Sequence, residues 1–469
     1  MNEKPLYKLI EYLDETFLYD TNTNEVISIS RDLYKHLKKA NESTLLSNPT
    51  EIKSEIEKLI SKSYLDSNKP SVIKHPQTYF IKSLLGNLKK ITLQVTQACN
   101  FKCRYCGYAG ENYLNRHHNG QSMTWDVAQN AIDFFIANSI NTSVVYVGFY
   151  GGEPLLELEL IKKCIEYIEQ KLYGKKIEYY ITSNGSLINE KVVELVNRYP
   201  IHLTISLDGP KEMHNKNRRY AMNGGSTYDD VIEAIRYLKN NVSDYKNKVT
   251  INSVIDQQEN YYTYYSYFNT ENAVSDIFHS ENLIDDSRLN RNISISNNYL
   301  IPYTRQTINS YIKLLSEEYS TDAVTYSILK DIEELSDRFT PTDKLSDTFH
   351  HAGPCVPGYN RLFVTVDGTL FPCEKCSENS KALKIGDIFN GYDYSAIEEI
   401  LNIGWLTEEQ CKNCVIMRHC TVCAQQIDDI CGLSVERKLS HCKNQEQVFI
   451  RNLKKYIILS KIGLINKEK

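Results

Sequence analysis

The sequence predicts an α/β fold: a parallel sheet with a helical outer layer, preceded by a small α+β unit and followed by a cysteine-rich one. Three observations carry this. From residue 88 to about 300, short alternating apolar runs take turns with helical patterns, an order that lays strands parallel and helices outside. The first 85 residues hold no cysteine and read as strands followed by helices. Nine of the 13 cysteines lie between residues 345 and 445.

Composition narrows the classes. A chain of 469 residues with 41% hydrophobic content is long enough for two or three packed domains. A net charge of −5 offers no basic field for nucleic acid. No apolar run reaches the length of a bilayer span, so no membrane partner is expected. The start, M-N-E-K-P-L-Y-K, lacks the basic-then-apolar order of a signal peptide, so a cytoplasmic location is expected. Cysteines in that setting suit metal or cluster ligation rather than a disulfide framework. The wealth of Tyr, Lys, Asn and Ile reads as genome composition, and no solenoid-period repeat is present.

The elements follow in order. Residues 16–30 read as a β-hairpin around Asn and Thr turn residues, and 32–39 and 51–64 as helices. Strands are expected at 91–95, 144–150, 177–182, 202–207, 249–255 and 276–281. Helices are expected at 124–138, 157–171, 189–197 and 228–240. Six such units are too few for a closed eight-strand barrel. Residues 301–344 read as a helical linker, and 345–469 as the cysteine-rich unit with a C-terminal helix.

Cys99, Cys103 and Cys106 form a C-x-x-x-C-x-x-C run on the loop after strand 91–95. In parallel α/β folds that strand end is where chemistry is placed. Three thiolates this close can hold three corners of an iron–sulfur cube, leaving one iron without a protein ligand. A zinc site normally takes four ligands, commonly as two separated pairs. The plain alternative is three structural cysteines. With Tyr105 just before the third cysteine, the run resembles the radical S-adenosylmethionine (SAM) superfamily. The resemblance implies an incomplete (β/α)6 barrel, open at the side to admit a large substrate. It also implies a [4Fe–4S] cluster whose open iron chelates SAM, and Tyr105 bordering the adenine. Reductive cleavage of SAM would give a 5′-deoxyadenosyl radical, with the electron from a flavodoxin- or ferredoxin-type donor.

Gly151-Gly152-Glu153-Pro154 follows strand 144–150 and looks like the superfamily's G-G-E-P element, which holds the SAM amino group. By the same resemblance, Asn184, Ser206 and Asp208 line the SAM ribose and methionine, and Arg218 is a candidate for its carboxylate. The plain alternative for each is a turn residue or helix cap.

In the C-terminal unit, Cys411 to Cys423 reads C-x-x-C-x5-C-x-x-C, which alone fits a zinc ribbon as well as a cluster. Joined to Cys355, to D-G-T-L-F-P-C ending at Cys373, and to Cys442, it resembles a SPASM domain carrying auxiliary [4Fe–4S] clusters. That implies Cys411, Cys414, Cys420 and Cys442 around an outer cluster, and Cys355, Cys373 and Cys423 around an inner one. Two departures stand out. Cys423 follows Cys420 with two residues between, where the family usually has three. The inner cluster's further cysteine, expected shortly after Cys355, is absent. Cys376 and Cys431 are the candidates to replace it; otherwise the inner cluster keeps an open iron. Cys164, in an expected helix, reads as core.

The whole resembles cysteine-rich-peptide maturases, which act on a ribosomally made precursor. The N-terminal unit resembles the leader-recognition domain fused to such enzymes, where a leader peptide adds a strand to a sheet edge. The resemblance implies thioether formation between a cysteine sulfur and a carbon, with Glu374 beside Cys373 as a candidate acceptor of the thiol proton. A plain surface carboxylate is the alternative for Glu374. The rival reading is an anaerobic sulfatase maturase forming formylglycine, which also carries an acid directly after the matching cysteine. Carbon–carbon crosslinking or epimerisation of a peptide is a third. A zinc-bearing scaffold without activity requires the first cysteine run to be coincidental.

Overall fold

A computed structural model describes residues 4–42, 50–108, 119–284, 294–318, 322–351, 353 and 355–465. Its first unit is an antiparallel meander, β1 (Tyr7–Tyr12), β2 (Glu15–Asp20) and β3 (Glu25–Ser28), in that spatial order. Asp14 and Asn24 take left-handed backbone in the two turns, which suits short polar side chains. The expected hairpin over 16–30 is therefore the second half of a three-stranded sheet. The added strand, Y-K-L-I-E-Y, alternates too weakly to stand out. Helices α1 (Arg31–Glu42) and α2 (Thr50–Ser61) cover one face, over Tyr7, Leu18, Ile29, Leu33 and Leu37.

The central sheet is built from strands that are buried on both faces. In β4 (Lys90–Thr96), Ile91, Leu93 and Val95 have no exposed surface and join the main core, while Gln94 and Thr96, on the other face, are equally buried. Alternation here separates an apolar face under the helices from a polar face toward the barrel interior. The same logic runs through β5 (Val144–Gly151), β6 (Lys176–Ser183), β7 (Ile201–Ser206) and β8 (Val249–Ile255), whereas the edge strand β9 (His279–Leu283) ends exposed. The helices between them include α3 (Trp125–Asn138), α4 (Leu158–Lys171), α5 (Glu190–Arg198), α6 (Lys211–Asn217) and α7 (Tyr228–Asn241). Thr124 and Asn189 cap α3 and α5 by accepting from Val127 N and Val192 N. Ile161, Cys164, Ile165 and Ile168 form the buried stripe of α4, so Cys164 is core.

All six strands pair in parallel. The sheet does not stop there. After α8 (Tyr261–Thr270), α9 (Asn297–Leu315) and α10 (Ala323–Arg338), the chain returns as β10 (Leu362–Val364), parallel to β4, with β11 (Leu370–Phe371) antiparallel beside it. The full order is β9-β8-β7-β6-β5-β4-β10-β11. The cysteine-rich unit thus shares the barrel's sheet rather than sitting apart from it. Among the described residues no helix is long and apolar enough to cross a membrane.

The last helix, α11 (Val435–Lys461), packs with the other face of the N-terminal sheet. Ile10, Phe17 and Tyr19 meet Phe339, Phe449 and Leu453. The β2–β3 turn is buried in this joint: Thr21 and Asn22 have no exposed surface. Arg418 donates to the carbonyls of Thr21 (2.7 Å), Asn22 (3.1 Å) and Asp343 (2.6 Å). Asn24 donates to the Arg338 and Thr340 carbonyls and pairs with His419 at 2.9 Å. Burial pushes the His419 pKa down to about 4, so its ring is neutral and Nε2–H donates to Asn24. Charge-assisted hydrogen bonds of this kind contribute about 1.5–3 kcal/mol each. Arg418→Ala should therefore destabilise the anaerobically reconstituted protein by roughly 3 kcal/mol in denaturant unfolding. A change within error of zero would mean that this joint does not hold the N-terminal unit.

Candidate functional site

The C-terminal ends of the barrel strands surround a cavity of about 330 Å³. Its lining brings together Cys99, Cys103, Tyr105, Cys106, Gly151, Gly152, Glu153, Asn184, Ser206 and Arg218, all singled out in the sequence. Asp208 lies just behind this wall and is bonded to it.

The cysteine loop is held against the end of β5. Gly152 N donates to Thr96 O (2.9 Å) and Glu153 N to Ala98 O (2.8 Å). Both glycines are required here. A Cβ on Gly151, which has φ +146°, would lie 2.0 Å from Thr96 O, and one on Gly152 2.0 Å from Ala98 O. Glu153 is 1% exposed, and its carboxylate accepts from Asn184 N (2.7 Å), Ser183 Oγ (2.8 Å) and Leu155 N (3.1 Å). It fixes the end of β6 and lines the cavity as well. Asn184 extends the same network: its amide donates to Asn100 Oδ1, and its oxygen accepts from Ser186.

On the opposite wall, Asp208 and Arg218 form a buried ion pair at 3.0 Å. Asp208 also accepts from the Tyr105 hydroxyl and from Val254 N. The guanidinium lies 5.5 Å from the Tyr105 ring centre. Despite burial, Asp208 and its other anionic neighbours hold Arg218 protonated well above its usual range. His214 N-caps nothing but locks the turn: its Nδ1 accepts from Asp208 N, which leaves Nε2–H to donate to Thr227 Oγ1 (3.0 Å). Burial, with Arg218 nearby, keeps that ring neutral.

The donor set fits an iron–sulfur cube. Burial pushes the Cys99 and Cys103 thiols up to about 12, and each feels the others' charge. Such thiols ionise together only when bound to a cation. Among the described residues no three His, Cys, Asp or Glu side chains converge on a single ion. A cube spreads its ligands over separate irons.

The C-terminal cysteines fall into two groups. Cys411, Cys414, Cys420 and Cys442 lie within mutual electrostatic reach, and burial raises Cys414 to about 12 and Cys420 to about 11. Lys438, 1% exposed, donates to Ile403 O (2.6 Å) and to Cys411 Sγ (3.7 Å). A buried cation among four thiols suits a group of negative charge. In the second group, the 353 segment is held against 420–422 by Gly353 N donating to Cys420 O, and Cys355 faces Cys423 and Cys373. Cys431 is exposed on the 428–433 turn.

Several residues escaped the sequence reading. Tyr108 lines the cavity and donates to Glu374 O at 2.9 Å, joining the first cysteine loop to the inner cysteine group. Glu374 itself faces Arg361 at 3.7 Å, so its carboxylate is partly neutralised rather than free. Glu378 accepts from Gln94 and Gln97, bonding β4 and its loop to the C-terminal unit. The Tyr108 and Glu378 contacts join residues more than 260 apart, and no local pattern announces them.

With this geometry in view, residues 93–261 match the sequence model of the Radical SAM superfamily. An uncharacterized protein of Methanocaldococcus jannaschii is 36% identical over 146 residues, 31% of this chain and 47% of that one. The radical SAM cyclopropyl synthase TigE of Paramaledivibacter caminithermalis is 30% identical over 195 residues, 39% of this chain and 38% of its own. A cysteine-type anaerobic sulfatase-maturating enzyme of Clostridium perfringens is 31% identical over 147 residues, 31% of this chain and 39% of that one. The chain therefore spans less than half the length of these curated relatives. In fold it is similar to native anSMEcpe with bound AdoMet, with TM-score 0.55 over 78% of this chain and 99% of that one, at 22% identity. Another structure of that protein carries AdoMet and a Kp18Cys peptide. Residues 93–261 thus match the radical SAM superfamily on a parallel partial barrel, and the similar proteins include a cyclopropyl synthase and a sulfatase-maturating enzyme. A domain of this kind takes a [4Fe–4S] cluster and SAM.

Two outcomes test the site. Asp208→Asn leaves the Arg218 charge buried without its counter-ion and should cost about 3–5 kcal/mol of stability by denaturant unfolding. Lys438→Met should make the midpoint potential of the outer cluster more negative, by the equivalent of about 2 kcal/mol at an effective dielectric of 20. A potential unmoved in the Lys438 variant would show that this lysine faces no cluster.

Proposed function

We propose that the protein is a radical SAM peptide maturase that joins a cysteine sulfur to a carbon within a ribosomally made precursor. One observation carries this reading: the SAM-type cavity touches the inner cysteine group through Tyr108 and the Glu374 backbone. Chemistry at the cavity and sulfur chemistry at the cysteine-rich unit are thereby placed side by side. When bound, the first cluster and SAM supply a carbon-centred radical that removes a hydrogen atom from the substrate. The chain's own groups do the rest. Cys99, Cys103 and Cys106 hold the cluster, and Gly151 and Gly152 let the backbone approach SAM. Arg218, kept charged by Asp208, takes the SAM carboxylate, and Tyr105, Asn184 and Ser206 shape the walls. Cys355, Cys373 and Cys423 serve an inner auxiliary cluster, and Cys411, Cys414, Cys420 and Cys442 an outer one. Glu374, beside Cys373, accepts the proton of the substrate thiol.

The N-terminal sheet is the proposed leader site. β1 lies along α11, with Lys8 paired to Glu446 and Lys454 over the Tyr12 ring. β3 is the other edge of the sheet, and its residues are partly or fully exposed. A leader strand added to β3 uses that edge.

Formylglycine formation is the second reading. It is favoured by the acid following Cys373 and by the partial identity to the sulfatase-maturating enzyme.

Mass spectrometry of a co-expressed cysteine-containing precursor separates the two. Thioether formation removes two hydrogens per crosslink and keeps sulfur; formylglycine formation from cysteine removes the sulfur. An unmodified precursor, under conditions where SAM is cleaved, would overturn the peptide-maturase reading. In parallel, Cys103→Ala should abolish 5′-deoxyadenosine formation, whereas Cys411→Ala should retain part of it yet leave the peptide unmodified. Equal loss in both folded variants would remove the division between the cysteine groups. For the leader, hydrogen exchange of the β3 amides, 25–28, should slow when full-length precursor is added and stay unchanged with leaderless core peptide.

A further inference from the structure

Cys376 is one of two candidates the sequence leaves for the inner cluster's further ligand, and a buried free cysteine is often simply core. Its surroundings argue otherwise. Three Cys-x-x-Cys pairs in this chain close the same tight turn. Cys106 N donates to Cys103 O (3.1 Å), Cys414 N to Cys411 O (3.1 Å) and Cys376 N to Cys373 O (3.2 Å). The first two pairs lie in the cluster sites assigned above, and the third is built the same way. The Cys376 thiol also lies in hydrogen-bond contact with the Cys373 sulfur and within electrostatic reach of Cys423. Cys355 faces the same two sulfurs. Cys376 is 5% exposed, whereas Cys431, the other candidate, is exposed on its turn.

We infer that Cys376 is the fourth thiolate of the inner auxiliary cluster, so that Cys355, Cys373, Cys376 and Cys423 close it without help from the substrate. This rests on the proposed reading that the C-terminal cysteines hold iron–sulfur clusters. On ligation the Cys376 thiol releases its proton to solvent as the sulfur–iron bond forms, and no electron moves. The open-iron role raised by the sequence then falls away. A substrate sulfur must be positioned by protein groups near Tyr108 and Glu374, and the inner cluster is left with electron transfer.

The test uses the full chain carrying Cys99→Ala, Cys103→Ala and Cys106→Ala, which leaves only the auxiliary groups. After anaerobic reconstitution, iron and sulfide are counted and the dithionite-reduced EPR spectrum is recorded with and without 2-mercaptoethanol. The parent should hold two cubes and a spectrum indifferent to the added thiol. Adding Cys376→Ala should either remove about half the iron, with the outer-cluster signal intact, or leave a cube whose signal shifts with 2-mercaptoethanol. That persisting outer signal shows the variant is folded. Cys376→Ser should fall between the two, and Cys431→Ala should match the parent. The inference is overturned if Cys376→Ala keeps the parent's iron and spectrum, or if the parent itself responds to the thiol. Stoichiometric zinc and no iron in the parent overturns the underlying reading as well, so the two failures are distinguishable.

Discussion

The buried pair of Asp208 and Arg218 is the interaction on which the candidate site depends. Asp208 gathers the Tyr105 hydroxyl, the Arg218 guanidinium and the Val254 amide onto one carboxylate. The cysteine loop, the end of β7, the segment after α6 and the end of β8 are thereby fixed relative to one another. An ion pair this deep contributes little net stability, because desolvation offsets most of the attraction. Its value is positional. It keeps a permanent cation at the cavity wall.

A second constraint comes from the thiols. Burial keeps the Cys99, Cys103 and Cys414 thiols neutral, and a metal centre is what would let such thiols carry charge together. The fold anticipates that charge in different ways. Around the first group the anion-friendly partner is Arg218; around the outer group it is Lys438, whose ammonium would otherwise be a buried charge held by one carbonyl and one sulfur. The inner group has no lysine or arginine so deeply buried, and Arg361 reaches Glu374 beside it.

Much of this was legible because it is local. Strand positions 91–95, 144–150 and 249–255 match within a residue or so, since an apolar face every second residue is a property of the segment itself. The helices expected at 124–138 and 189–197 begin within a residue of Thr124 and Asn189, which cap them. Spacing marked Cys99, Cys103 and Cys106 as one group, and the resemblance to a SPASM domain implied the other two. What was illegible is long-range. The polar run from Asp20 to Asn24 reads as a turn, yet it is buried because bonds to Arg418, to Asp66 and Asn68, to Val415 and to the 338–345 segment replace those that water would have made. Lys438 reads as a solvent-facing helical lysine and is buried. Cys376 is three residues from Cys373, so its contact is local, but spacing alone cannot distinguish a ligand from a core thiol.

The pairing of β10 with β4 has a consequence for how the chain comes into being. Leu362 pairs with Ile91 across most of the polypeptide. At about 5–20 residues per second, β4 leaves the ribosome roughly 15–50 seconds before its neighbour exists. Through that interval the nascent barrel carries a buried-type parallel strand with one edge unpaired, the form of surface that invites pairing with a foreign chain. Gln94 and Gln97 likewise wait for Glu378. The loop that bears the first cysteines is thus completed only when the last quarter of the chain arrives. A polypeptide truncated before residue 360 would present an unfinished edge rather than a smaller working enzyme.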